Sequence, residues 1–310
     1  MNLSETLWRQ ILALRSAARA DQGDQTVLCL TDAGFQYYEP NSLPADAQAV
    51  VSRTPLTTAA MPAARLLDSG LYLSTSPSLD RTREHALRLY LPIALADWRP
   101  QSETLVLVHM AQSLDGRVAT VAGHSQWIGN TENLHHAHRL RALVDGVLVG
   151  GNTARCDKPR LDVRHVDGDN PARIILSNHV SDLTCLPRVE GMRTLIVCSD
   201  DEGLPSERGD FELVRCKRVG GILDVSALLE HLQDLGIRSL LVEGGPKTFQ
   251  TFQQAGAIDW LQVHIAPMLF GSGNPLLDLP QITTVDDAIA LRDTFYTVMG
   301  DAVMMTGRLR

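Results

Sequence analysis

Leu105-Val106-Leu107-Val108 opens the stretch that decides the fold, which runs on to Arg164. The apolar run passes into Ser113-Leu114-Asp115-Gly116-Arg117 and then Gly123-His124-Ser125-Gln126-Trp127-Ile128. A segment with helical character follows, ending in Leu140-Arg141-Ala142. A second apolar run, Val147-Leu148-Val149, opens into Gly150-Gly151-Asn152-Thr153, and the stretch closes on Asp157-Lys158-Pro159-Arg160-Leu161 and Arg164. Glycines and polar side chains recur where short apolar strands end. In an open α/β sheet that is where a ligand crevice forms.

Outward from this stretch, strand and helix patterns alternate, the signature of a layered α/β domain. Strands are expected at 104–110, 117–121, 146–150, 173–177, 193–198, 211–215, 238–243, 259–266, 294–299 and 302–308, and helices at 131–143, 224–235 and 246–255. The last two strands have no helix between them and must pair as a hairpin through Gly300-Asp301. The sheet is therefore mixed rather than wholly parallel.

Upstream, residues 4–20 predict an amphipathic helix capped by Ser4, with Leu7, Ile11, Leu12 and Leu14 at helical spacing. A strand is expected from Thr26, a loop-like stretch at 39–62, a strand at Gly70–Ser74 and a helix at 79–97. Arg99-Pro100-Gln101-Ser102 breaks the pattern, because the residue before proline is pushed out of the α region. The sequence is thus divided into an N-terminal α+β region, 1–100, without an assignable motif, and a C-terminal α/β domain, 101–310.

Composition narrows the ligand class. Of 310 residues, 44% are apolar and 21% charged, ordinary globular values; 28 Lys plus Arg against 36 Asp plus Glu leave a formal charge of −8. That excess disfavours nucleic acid as a partner and points to small molecules, while leaving room for a local basic pocket. Five dispersed cysteines without a C-x-x-C pair suggest reduced thiols. With no secretory leader pattern and no apolar run of about 20 residues, a cytoplasmic protein without membrane contact is expected.

Leu240-Leu241-Val242-Glu243-Gly244-Gly245-Pro246 is the second strong signal. A buried strand ends in a carboxylate, the glycines let backbone approach a ligand, and Pro246 suits the first turn of a helix carrying Thr248. Free N–H groups at such a helix start would hold a dinucleotide phosphate; a tight strand-to-helix turn without ligand reads equally well. Gly150-Gly151-Asn152-Thr153 repeats this logic. No G-x-G-x-x-G run is present, so this is not the usual dinucleotide-binding unit. Asp157 reads either as turn chemistry before Pro159 or as an acid, and Arg164 as a bidentate phosphate ligand. His135, His136 and His138 lack further metal ligands nearby, so an exposed polar face is expected and no metal site. Ser113 and Ser125 lack a nucleophile elbow, which leaves hydrolase chemistry unsupported.

Together these motifs resemble the pyrimidine reductases of riboflavin biosynthesis, which share the dihydrofolate-reductase-like fold. The resemblance spans roughly 104–309 and includes Ile265-Ala266-Pro267 followed by Leu269-Phe270-Gly271. It implies that Ala111, Trp127, Gly150, Gly151, Thr153, Asp157, Gly244, Gly245, Pro246 and Thr248 line an NADPH site, with the Gly245–Thr251 turn and helix at the phosphates. It further implies that His109, Ser125, Arg141, Leu161, Arg164 and Glu243 meet a phosphoribosylated pyrimidine, the arginines near its phosphate. Asp157 and Glu243 would be catalytic, and the protein a homodimer. The implied reaction opens the ribosylamine to a Schiff base and delivers hydride to the former anomeric carbon, leaving a ribityl chain.

Three positions depart from the family pattern: His109 stands for a usual Lys, Lys158 for a second Asp, and Ser177-Asn178 for an Asp. The zinc deaminase signature is absent from residues 1–100. Two rival readings remain: a reductase of a related pyrimidine or pterin, such as the non-deaminated diaminopyrimidine or dihydrofolate, and a non-catalytic nucleotide-binding domain.

Overall fold

The computed structural model describes residues 3–20, 27–58, 61, 64–68, 70–100, 102–126, 128–178, 186–199, 211–219, 222–277 and 282–309. The chain separates into two compact units, Met1–Glu103 and Thr104–Arg310.

In the first unit, α1 (Glu5–Ala20) is followed by β1 (Val27–Thr31), β2 (Gly34–Tyr38), β3 (Ala49–Ser52), β4 (Ala64–Asp68), β5 (Leu71–Thr75) and α2 (Arg81–Ala94). Ser4 begins α1 as its spacing predicts, its Oγ accepting from Leu7 N at 3.2 Å. Asp80 caps α2 through Arg83 N at 2.9 Å. Five strands form an antiparallel sheet in the order β2-β1-β3-β5-β4. Trp8 of α1 meets Tyr90 of α2 edge-on at 5.8 Å, and Leu7, Ile11, Leu87 and Leu91 are buried. The loop-like expectation for 39–62 is corrected here: Ala49–Ser52 is a fully buried strand between β1 and β5. Its four residues are too few to show period-two alternation, and the Pro, Ser and Thr around them mask it.

The second unit contains β6 (Leu105–Ser113), β7 (Arg117–Thr120), α3 (Thr131–Leu143), β8 (Gly146–Gly150), α4 (Gly151–Asp157), β9 (Ala172–Leu176), β10 (Thr194–Ser199), β11 (Glu212–Cys216), β12 (Arg218–Val219), β13 (Ile222–Leu223), α5 (Val225–Asp234), β14 (Ser239–Val242), α6 (Pro246–Gln254), β15 (Trp260–Ala266), β16 (Gly273–Pro275), β17 (Arg292–Met299) and β18 (Ala302–Arg308). Nine strands form one sheet in the order β11-β10-β9-β8-β14-β6-β15-β18-β17. All pairs from β11 to β15 are parallel, and β18 and β17 close the edge antiparallel, as expected. Strands buried on both faces, such as β6 and β14, are near-continuous apolar runs, whereas β17 alternates inward and outward along its second half. Met299 pairs with Ala302 across Gly300-Asp301, with Gly300 at φ +62°, the backbone sign a II′ hairpin needs at its first central residue.

Helix α6 buries Phe249 and Phe252 in one cluster with Val106, Val108, Leu240, Val242 and Val263. Each ring removed from water is worth about 1.5–3 kcal/mol. That burial fixes the start of α6 at the carboxyl end of β14. Helix α3 is capped by Asn130, whose Oδ1 accepts from Asn133 N at 3.0 Å while its Nδ2 donates to Met299 O and Asp301 Oδ1 at 2.7 and 2.8 Å. The exposed histidine face expected on this helix is a second correction: His136 and His138 are fully buried. Three polar rings at close spacing look like a solvated face until the long-range partners appear. His136 Nε2 bonds Gln262 Oε1 at 2.7 Å, and Arg164 N donates to His138 Nδ1 at 3.2 Å. Among the described residues, no helix is long and apolar enough to cross a membrane, and no group of three His, Cys, Asp or Glu is placed to hold a metal ion.

Candidate active site

Three adjoining cavities run along the carboxyl ends of the parallel strands. One of about 690 Å³ lies over β6 and β14 and is lined by His109, Ala111, Ser125, Asn133, Thr153, Asp157, Glu243, Gly244 and Gly245, among others. The next, about 730 Å³, lies between the β8 and β14 turns and is lined by Gly150, Gly151, Thr153, Gly245, Pro246, Lys247 and Thr248. A third, about 460 Å³, continues over β9 and β10 past Ser177, Ser199 and Arg218. This is the switch-point crevice of open α/β sheets.

The two turns are built against each other through Thr248. A Cβ on Gly244 would lie 2.5 Å from Thr248 Cβ, and one on Gly150 would lie 2.8 Å from Thr248 Oγ1. Only glycine lets the β8 and β14 turns close on α6. Gly245 caps α6 without a side-chain hydrogen bond and Pro246 occupies its first turn. Pro246 has no N–H and Thr248 N donates to Gly245 O at 3.0 Å, so the Lys247 amide and its side-chain charge are what this helix start offers an anion.

Glu243 leaves β14 with its backbone N on Leu148 O at 3.0 Å. Its carboxylate is gripped by Arg141 of α3 in a two-pronged pair, Nε to Oε1 at 2.9 Å and Nη2 to Oε2 at 2.6 Å, with both side chains largely buried. Burial alone would push Glu243 upward, but the Arg141 charge and hydrogen bonds outweigh it and hold the carboxyl below its ordinary range. Glu243 is ionised at neutral pH. His109 is held down by burial, its Nε2 3.0 Å from Asn133 Oδ1, and stands neutral on the cavity wall. Asp157, at the end of α4 and on the rim, is raised by partial burial, which favours its protonated form relative to an ordinary carboxyl. The crevice thus offers a fixed charge pair, a neutral imidazole and a carboxyl that partial burial shifts toward its protonated form, arranged around one space.

Asp162 gathers a second set of charges. It accepts from Arg160 Nε at 2.7 Å and from Arg164 Nη1 at 2.5 Å, while its backbone carbonyl accepts from Arg141 Nη1 at 3.3 Å. Three guanidiniums converge on two carboxylates, leaving one net positive charge.

The structure brings His109, Ala111, Ser125, Thr153, Asp157, Glu243, Gly244, Gly245 and Pro246 to the first cavity, and Gly150, Gly151 and Thr248 to the second. Arg141, Leu161 and Arg164 line neither. Arg141 is occupied by Glu243, Arg164 is bridged to Asp162, and Leu161 is buried at φ +59°. Trp127 lies outside the described residues. Asn152, quoted with the Gly150-Gly151 turn, also lines the first cavity, as do Asn133, Cys156 and Asn274, which sequence reasoning did not place at a site. Asn133 carries a readable signal, an asparagine in the first turn of α3; Asn274 carries none beyond its place before a proline.

Ser113-Leu114-Asp115-Gly116-Arg117 has a structural role. Asp115 accepts from Ser113 Oγ, Phe270 N and Gly271 N at 2.5, 3.1 and 2.6 Å, and its carboxyl is lowered to about 2, the Ser113 hydrogen bond contributing most. It clamps the 267–271 turn beside the first cavity.

The model of the RibD C-terminal domain matches residues 104–304. A 2,5-diamino-6-ribosylamino-4(3H)-pyrimidinone 5′-phosphate reductase of Methanothermobacter thermautotrophicus is 34% identical over 215 residues, which cover 64% of this chain and 95% of that protein. The riboflavin biosynthesis protein RibD of Aquifex aeolicus is 32% identical, and the match covers 66% of this chain but only 58% of that longer protein. Among solved structures, the riboflavin biosynthesis reductase Rib7 of Saccharomyces cerevisiae superposes with a TM-score of 0.59 at 23% identity, over 74% of this chain and the whole of that one, and so shares the fold. With the family model covering most of the second unit and a relative matched over nearly its full length, the chain belongs to the RibD C-terminal domain family.

Proposed function

We propose that residues 104–309 form an NADPH-dependent reductase that converts the ribosyl group of 5-amino-6-(5-phosphoribosylamino)uracil to its ribityl form, as an oxidoreductase of riboflavin biosynthesis. The observation that carries this reading is the first cavity, where Asp157, Glu243, Ser125 and the Gly244-Gly245 turn surround one space continuous with a phosphate-suited helix start. The family membership supports it. The bound dinucleotide supplies the hydride. The chain's residues do the rest. The α6 N-terminus and Lys247 hold the pyrophosphate, while Thr153, Ala111 and the paired glycines seat the reacting ring. Glu243, kept ionised and immobile by Arg141, accepts hydrogen bonds from substrate hydroxyl or amino groups. Asp157 is suited to give the proton that the nitrogen needs as hydride reaches carbon. Arg160 and Arg164 are the exposed arms able to turn from Asp162 to a substrate phosphate; Arg141 orients Glu243 instead.

A second reading, the non-deaminated diaminopyrimidinone as substrate, is favoured by two relatives with that name, matched over 95% and 79% of their own lengths. Loss of reduced-nicotinamide absorbance, measured with each pyrimidine and with dihydrofolate, separates them. Oxidation with neither pyrimidine, despite cofactor binding, ends the reductase reading. The proposal also takes the protein as a cytoplasmic homodimer, which sedimentation checks.

A further inference from the structure

Five residues line both the first and second cavities: Asn152, Thr153, Gly245, Pro246 and Asn274. Four come from the two glycine turns. Asn274 alone comes from another element, the short ribbon in which β16 pairs antiparallel with β7. Local sequence explains its placement. A Cβ on Gly273 would sit 2.4 Å from Ala119 O, so glycine is what lets β16 lie this close to β7. Pro275 supplies no N–H, and the register slips between Asn274 and Pro275, the kind of irregularity that re-aims a side chain beside a site. The ribbon is pinned on both sides of Asn274. Arg117 Nε bonds Gly271 O at 3.1 Å and Asp115 holds Gly271 N, while Leu276 N donates to Gly116 O at 3.3 Å. The Asn274 side chain is exposed and makes no hydrogen bond to the described residues.

We propose that Asn274 is the binding residue for the ribose that joins the reacting ring to the pyrophosphate, reaching it from the wall facing the two turns. This rests on the hydride-transfer reading. A ligand with its phosphates at α6 and its reacting ring beside Asp157 must pass the junction that Asn274 shares with Thr153 and Gly245. A carboxamide there presents two donors and one acceptor, which match vicinal hydroxyls. The pinned ribbon holds the group in place before the ligand arrives, so little ordering entropy opposes the contact.

The test is calorimetric binding of NADPH and of adenosine 2′,5′-bisphosphate, a fragment lacking the junction ribose, to the full-length protein and to Asn274→Ala. Losing one or two neutral hydrogen bonds weakens NADPH roughly three- to tenfold. Binding of the fragment and the melting temperature should not change, because the side chain is exposed and makes no hydrogen bond to the described residues. Unchanged NADPH affinity overturns the assignment, as does equal weakening of both ligands. Failure of the unaltered protein to bind either ligand removes the hydride-transfer reading and this proposal with it. Normal NADPH binding with no effect of Asn274→Ala removes this proposal alone.

Discussion

Replacing Arg141 by leucine would test whether the Arg141–Glu243 pair is the electrostatic keystone of the crevice. Both side chains are nearly buried, at 12% and 13% exposure, and Arg141 makes two charge-assisted bonds to the carboxylate. Removing one partner of such a pair costs about 3–5 kcal/mol, mainly because the other charge is left desolvated. For a unit of this size each kcal/mol shifts the midpoint by about 2–4 °C, so a fall of roughly 6–20 °C at neutral pH is expected. The sign of the pH dependence is the sharper test. In the native protein the Glu243 carboxyl lies below its unfolded value, so its contribution is present above that value and is lost on acidification through the folded one. Without Arg141, burial is no longer outweighed and the folded value rises above the unfolded one. The variant then loses stability as pH rises, and its deficit shrinks on acidification. Urea unfolding followed by circular dichroism across the acidic range measures this. A variant within about 1 kcal/mol of the native protein at neutral pH, or one whose deficit does not shrink in acid, refutes the reasoning.

Asp157→Asn should lower the reduction rate by about a hundredfold or more while sparing cofactor affinity, as expected for loss of a general acid. The native pH–rate profile should fall as pH rises through the raised Asp157 value, and the variant should lack that limb. Gly244→Ala drives a methyl into Thr248 and should cost about 1–3 kcal/mol, with NADPH affinity falling too; adding Thr248→Gly should recover part of both, read by thermal melts and titration. Asp115→Asn should raise hydrogen exchange at the Phe270 and Gly271 amides. Because the Asp115 value is depressed, its contribution is present above the unfolded value near 4 and fades toward about 2, so the variant should also lose the native acid-unfolding component in that interval.

The strand–helix alternation after residue 104 was legible because parallel strands buried on both faces read as unbroken apolar runs, as in Leu105–Val108 and Leu240–Val242. The closing hairpin was legible from Gly300-Asp301. Less was readable where strands are short or half-exposed: β2, β3 and β4 were missed, and so was α4, because Gly150-Gly151 argues against a helix that tertiary packing nevertheless supports. Within the crevice, the glycine turns and Glu243 announce themselves by residue type at a strand end. The partners that set their chemistry do not. Glu243 meets Arg141 across 102 positions, His109 meets Asn133 across 24, and no local pattern records such pairings. The buried histidines of α3 show the same blindness: periodicity cannot tell a solvated imidazole from one bonded to Gln262.

The strand order has a consequence for the time course of folding. Strand β14 lies between β6 and β8, yet it is made long after both, and β15 follows later still to flank the other side of β6. As the chain leaves the ribosome, β6 emerges with neither of its sheet neighbours, and β8 can pair only with β9. Until about residue 242 is available, the apolar edges of Leu105–Val108 and Val147–Val149 have no strand to receive them on the inner side. Such long-range insertion slows folding and prolongs exposure of sticky edges. The nascent protein should therefore lean on chaperones late in synthesis, and fragments ending before β14 should aggregate rather than bind nucleotide.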